Sequence, residues 1–240
     1  MSVYRGLLAS LVAAVLLSAC NSKVYYPFVA ESAYRPAPPG RWFVAPVDFF
    51  GGLRDLTDED HEKVRSALLE VVRESGSQVV DIPRFERHWA IAKTAVGGYF
   101  DASTGLPNAE KLGRVLEHAL EHAGHPDDID LVLFPRVVRV SAEARGVRAH
   151  WDGVSRRISG AGHGMTITGS VQALSLHVTA HTPVGARVFV SRGGITLPQK
   201  MSGSAFTREF VVRDNLFPKH HDIVEGARVA LHPLVPKSDY

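Results

Sequence analysis

The chain has 240 residues, enough for one large domain, and 45% of them are apolar, enough to build a packed core. Its 27 Lys and Arg against 25 Asp and Glu leave almost no net charge. That balance excludes the broad basic footprint of a nucleic-acid-binding protein. A single cysteine excludes a disulfide within the chain.

At the N-terminus Arg5 precedes an apolar run over residues 7–17, and small residues then lead to Cys20. This is the three-part layout of a secretory signal. The run is shorter than the roughly 20 apolar residues of a spanning helix. The stretch Leu17-Ser18-Ala19-Cys20 resembles a bacterial lipoprotein signal, in which a Leu and small residues precede a modified Cys. The resemblance implies that the Cys20 thiol takes a diacylglyceryl group, that the chain is cut just before it, and that the new amino group is acylated. More than one acyl chain then anchors the protein in a lipid bilayer, as stable attachment requires. Asn21 follows, not the Asp that retains lipoproteins at the inner membrane of enteric bacteria. The implied destination is the outer membrane, with the protein facing the periplasm. Residues 1–19 read as the signal peptide, 20–40 as the lipidated Cys and a proline-rich flexible tether, and 41–236 as one periplasmic domain. In the tether, Tyr25, Tyr26 and Phe28 suit a partner or the bilayer interface.

The domain opens on Arg41-Trp42-Phe43-Val44-Ala45-Pro46-Val47-Asp48-Phe49, an apolar run that suits a strand. Thr57 supplies an N-cap, with Asp58, Glu59 and Asp60 in the first turn. Val64, Ala67, Leu68, Val71 and Val72 recur at helical spacing until Gly76. A short strand over residues 78–82 and a weaker helix from Pro83 through Trp89 toward Lys93 follow. Residues 96–107 have turn chemistry throughout and read as a surface loop with Tyr99, Phe100 and Asp101 at its tip, a candidate partner contact. Asn108 caps an amphipathic helix that ends at Gly124, with Leu112, Val115, Leu116, Ala119, Leu120 and Ala123 on one face. Residues 129–134 form a continuous apolar strand; Pro135 suggests a bulge or an exit from the sheet centre. Beyond it Val138, Val140 and Ala142 alternate with Arg139, Ser141 and Glu143.

The second half reads as antiparallel strands. Asp152-Gly153 suits a tight hairpin, and Gly160, Gly162 and Gly164 form a loop around His163. Leu174, Leu176, Val178 and Ala180 alternate with Ser175, His177, Thr179 and His181, the histidines on the wet face. Pro183 to Gly185 turns the chain, and residues 188–190 return it. A terminal helix carries Ile223, Ala227 and Leu231, with Asp222 as its N-cap and Glu225 completing a capping box.

The densest cluster of potential metal ligands is His118, His122 and His125. His118 and His122 share a helix face at a spacing that binds zinc when a third ligand arrives. Lys111 and Arg114 beside them oppose a dication, and the pair reads as a solvated face. His220 and His221 read as surface residues. There is no Gly-x-Ser-x-Gly elbow, no Ser-x-x-Lys at a helix start and no phosphate loop. No catalytic residue, resident metal or cofactor is expected.

Val44-Ala45-Pro46-Val47-Asp48-Phe49, the helix ending at Gly76 before Val79-Val80, Leu131-Val132-Leu133-Phe134, and Leu174-Ser175-Leu176-His177-Val178 followed by a glycine turn together resemble a group of bacterial envelope lipoproteins. Their domain is related to the N-terminal domain of TolB, and the group includes the curli-export lipoprotein and the lipoprotein activators of penicillin-binding proteins. The expectation is an α/β fold, with a mixed sheet, helices packed against it and antiparallel hairpins in the second half. The expected function is that of a protein-binding accessory in envelope assembly, export or wall maintenance, with an envelope protein as partner and no nucleic acid. The alternative is a metal-dependent enzyme or metal carrier using the histidines. Oligomeric state is open.

Overall fold

The computed structural model describes residues 29–30, 39–48, 53, 56–103, 108–125, 127–162, 165–203 and 208–235. The signal segment, Cys20, Tyr25, Tyr26, Phe28, His163 and Gly164 lie outside them. In chain order the elements are β1 (Val29–Ala30), β2 (Arg41–Val44), α1 (Asp58–Glu74), β3 (Gln78–Val80), α2 (Phe85–Val96), α3 (Ala109–Ala123), β4 (Leu131–Gly146), β5 (Arg148–Trp151), β6 (Val154–Arg157), β7 (Ile167–His181), β8 (Arg187–Thr196), β9 (Gln199–Gly203), β10 (Arg208–Val212) and α4 (His220–Leu231).

Local chemistry starts the first helices where expected. Thr57 and Asp60 complete a reciprocal capping box on α1, and the Asn108 side chain accepts from the Lys111 N–H on α3. Gly124, at φ 74°, ends α3 in the left-handed conformation that a side chain disfavours.

The main sheet runs β1-β8-β7-β4-β2-β3. β2 pairs parallel with β3 and β4, whereas β4, β7, β8 and β1 pair antiparallel in succession. The fold is therefore α/β with a mixed sheet, its parallel part in the first half and its hairpins in the second. Alternate residues of β2 and β4 face opposite layers, as strand geometry requires. Trp42, Val44, Leu131 and Leu133 pack with α1 and α4, while Phe43, Ala45, Val132 and Phe134 pack with α2 and α3. The end of β4 curls with β5 and β6 over a third core around Trp151, Val154 and Ile158. The curl brings the β5–β6 turn onto β8, where the Gly194 N–H donates to the Asp152 carbonyl. Asp152 and Gly153, at φ 35° and 79°, form that turn.

Three sequence expectations change and a fourth narrows. Of the two readings of Pro135, no bulge forms, since β4 and β7 pair without a break from Val132 to Gly146, and the proline instead lies where β4 leaves its pairing with β2 after Leu133. Its neighbours Leu133 and Val137 direct their backbone bonds toward the β2 side, so the missing donor falls past the end of β2, where Asp48 donates to the Pro135 carbonyl. The segment read as tether contributes β1, whose Val29 and Ala30 pair with Val190 and Phe189 at the sheet edge. Asp222 is not an N-cap: α4 starts at His220, behind Lys219, with no side-chain cap. Asp222 and Glu225 instead face Arg156, which explains why a capping-box pattern misled. Finally, His181 is buried and His177 half-buried, because α3 and the β7–β8 turn cover that face of β7. The contact is close: a Cβ on Gly185 would lie 1.9 Å from the Gly113 Cα.

Candidate functional site

Of the three loop residues, Tyr99 points inward, 7% exposed, with its ring 5.8 Å from that of Trp89. Phe100 stacks on the outside of Tyr99 at 4.5 Å and is 49% exposed. Asp101 accepts from the Ser103 N–H and hydroxyl. The turn thus offers one apolar ring to solvent. His118 and His122 stack at 4.2 Å on α3, and a ring nitrogen of His122 is 2.8 Å from the His118 carbonyl. His220 pairs with Glu70 of α1 at 2.8 Å, and His221 with Asp222 at 3.1 Å. Among the described residues no group of three or more His, Cys, Asp or Glu is placed to hold a metal ion.

The topology itself marks a different place. From β2 the chain moves outward to β3 through α1, then returns across β2 to β4 through α2 and α3. The order therefore reverses between β2 and β4, and α/β sheets bind ligands outside the carboxyl ends of such strands. Asp48 fills this position, held at φ 61°. Its carboxylate accepts from the Val137 N–H and lies 3.4 Å from His61 of α1. Burial holds the Asp48 carboxyl above its ordinary range, although the Val137 bond and the cationic surroundings oppose the shift. Beside the pair, a cavity of about 440 Å³ opens between the N-terminal turns of α1 and α2, with Asp58, Glu62, Arg65, Asp81 and Arg84 around an apolar floor. The two facing atoms, Asp48 Oδ2 and His61 Nε2, are buried without a hydrogen-bond partner, so a strained carboxylate and an imidazole face each other at the mouth of this cavity.

A second cleft, of about 270 Å³, lies on the opposite side of β4, floored by Phe134, Leu112 and Val190. Arg136 Nε donates to His177 Nδ1 at 3.1 Å, so the remaining N–H of that neutral ring is Nε2. His181 packs edge-on against Phe134 at 5.4 Å, with Nδ1 at 3.2 Å from the Gly185 carbonyl. Burial first, then Arg136 and Arg192, push the His177 imidazole down to about 4. The unfolded chain takes up that proton near 6.5 and the folded site withholds it until about 4. Stability is therefore undercut as pH falls through this window and is unaffected above it. In His177→Gln, which keeps an acceptor for Arg136, the loss of urea midpoint from pH 7 to 4.5 is expected to be smaller than in the parent.

Neither the Asp48–His61 pair nor the His177 cleft is visible in the sequence as a motif. Both arise from residues on separate elements. No family model, curated protein or solved structure matches the chain.

Proposed function

We propose that the chain is a lipid-anchored envelope protein of the periplasmic face of the outer membrane, acting as a binding accessory to another envelope protein. The observation that carries this reading is Leu17-Ser18-Ala19-Cys20, with the sole cysteine where the lipid attaches. Among the described residues no helix is long and apolar enough to cross a membrane, so attachment on this reading is through the acyl chains. From Cys20 to Val29 an extended chain reaches at most about 30 Å. The edge of β8 that pairs with β1 then stays within that distance of the bilayer. Exposed apolar side chains on β10 support a binding role: Phe210 and Val212, on one face of a two-stranded ribbon, are 38% and 66% exposed.

Cys20→Ser is expected to move the protein quantitatively from the membrane pellet to the soluble or uncleaved-precursor fraction and to abolish incorporation of labelled palmitate. Unchanged palmitate labelling refutes the anchor. A photo-crosslinker at position 210 in the native envelope is expected to give one discrete adduct, whereas the same probe at Lys93 on α2 gives none. Equal labelling at both positions refutes the binding surface.

A further inference from the structure

Five cationic side chains line a cleft beside α4. The cleft measures about 630 Å³ and lies between the β5–β6 hairpin, the end of β8 and the start of α4. Arg148, Arg156, Arg157, Arg213 and Lys219 face it, against two carboxylates, Asp222 and Glu225. Both carboxylates are engaged by Arg156, whose Nη1 is 2.5 Å from Glu225 and whose Nε is 3.4 Å from Asp222. Among the described residues no carboxylate lies within ion-pair distance of the other four cations, and only the more distant Asp222 attracts the Arg213 charge.

Their remaining contacts leave donors open. Arg148 uses Nε and one Nη on Ser155, and Arg157 donates one N–H to the Ala161 carbonyl. The Arg213 Nε is buried without a hydrogen-bond partner. Burying a guanidinium N–H unpaired and gathering like charges around one cavity are both unfavourable without a counter-charge. The chain as a whole is almost neutral, so this concentration of charge is a local feature of the cleft. Guanidinium groups match phosphate oxygens with paired N–H donors, and several of them around one cleft suit a ligand whose negative charges are close together. A lone carboxylate supplies too little charge for such a lining.

We propose that this cleft binds a diphosphate group, borne by a soluble molecule or by a lipid headgroup. The proposal does not depend on the membrane anchor, and its test does not involve Cys20. Arg157, Arg213 and Lys219 supply free donors to the phosphate oxygens, and Arg148 adds charge from the hairpin. Ser159, on the cavity wall, offers a hydroxyl to the same oxygens.

The test is calorimetric titration of the full chain in nonionic detergent with inorganic pyrophosphate and, separately, with farnesyl diphosphate. At least one is expected to bind saturably at one per chain. Arg157→Gln/Arg213→Gln is expected to weaken it at least tenfold, and Lys219→Gln severalfold. Lys93→Gln, remote on α2, is expected to leave it within twofold. Farnesyl diphosphate at least tenfold tighter than pyrophosphate assigns the group to a lipid; comparable or weaker binding assigns it to a soluble ligand. Thermal melts without ligand establish that the double variant is folded, and the exposed Lys219→Gln provides the reading if it is not. Absence of saturable binding by both compounds, or binding that the folded variants leave unchanged, overturns the proposal.

Discussion

Gly193→Ala is expected to cost about 3 kcal/mol or more and to lower the melting temperature by roughly 10 °C in a domain of this size. A Cβ at this position of β8 would lie 1.9 Å from the Gly226 carbonyl oxygen and 2.7 Å from the Ala230 nitrogen. Both obstacles are backbone of α4, so no side-chain rotation relieves them. The helix must withdraw by more than an ångström, opening the packing of Ile223, Ala227 and Leu231 against the sheet. Gly193 has no left-handed backbone to explain its identity, which makes the close approach the whole reason for the glycine. Gly162→Ala is the control: its Cβ meets only the Met165 sulfur, at 4.0 Å. Its expected change is within about 0.5 kcal/mol. Chemical denaturation of the two variants checks the contrast, and similar midpoints would place α4 elsewhere.

Arg156→Met is expected to destabilise the domain by about 2 to 3 kcal/mol. Its guanidinium joins three elements, donating to Glu225 and to the Asp222 carbonyl of α4, and to the Ile195 carbonyl of β8 at 3.2 Å. The Arg156 and Asp222 side chains are only 12% and 15% exposed, whereas Glu225 is half-exposed and its pair adds less. Most of the loss comes from leaving the Asp222 and Ile195 carbonyls without their donor and the Asp222 carboxylate with only His221 beside it. Lysine cannot restore three directional bonds from one point charge. Adding Asp222→Asn to the methionine variant is expected to recover part of the loss, and a double-mutant cycle by urea denaturation measures that coupling.

Legibility followed the range of the interaction. Thr57 and Asn108 fix helix starts through bonds three residues away, and Asp152-Gly153 fixes a turn through its own backbone, so the residues announce them. The β7–β8 hairpin is equally local. Asp222-x-x-Glu225 has the same local pattern, but its partner is Arg156, far away in the chain, and nothing near it reveals that the carboxylates are occupied. Alternation along β7 assigned His181 to water, because a sequence cannot show that α3 covers the second face. Two adjacent glycines in β8 are a readable sign of close backbone approach, although their partners are not. The Asp48–His61 pair required the strand order: Asp48 is the end of an apolar run until β4 is known to lie beside β2.

The two residues of β1 have a further consequence for solubility. A long outer strand presents free amide and carbonyl groups to any passing extended peptide, and unprotected edges of this kind drive strand-to-strand aggregation. β8 runs for ten residues, and β1 occupies its outer side at Phe189 and Val190. The opposite margin is β3, only three residues long and followed by Pro83, which offers little template. The segment ahead of the domain therefore also serves as an edge guard. Truncating it to shorten the distance to Cys20 would expose the side of the sheet best able to recruit a second chain.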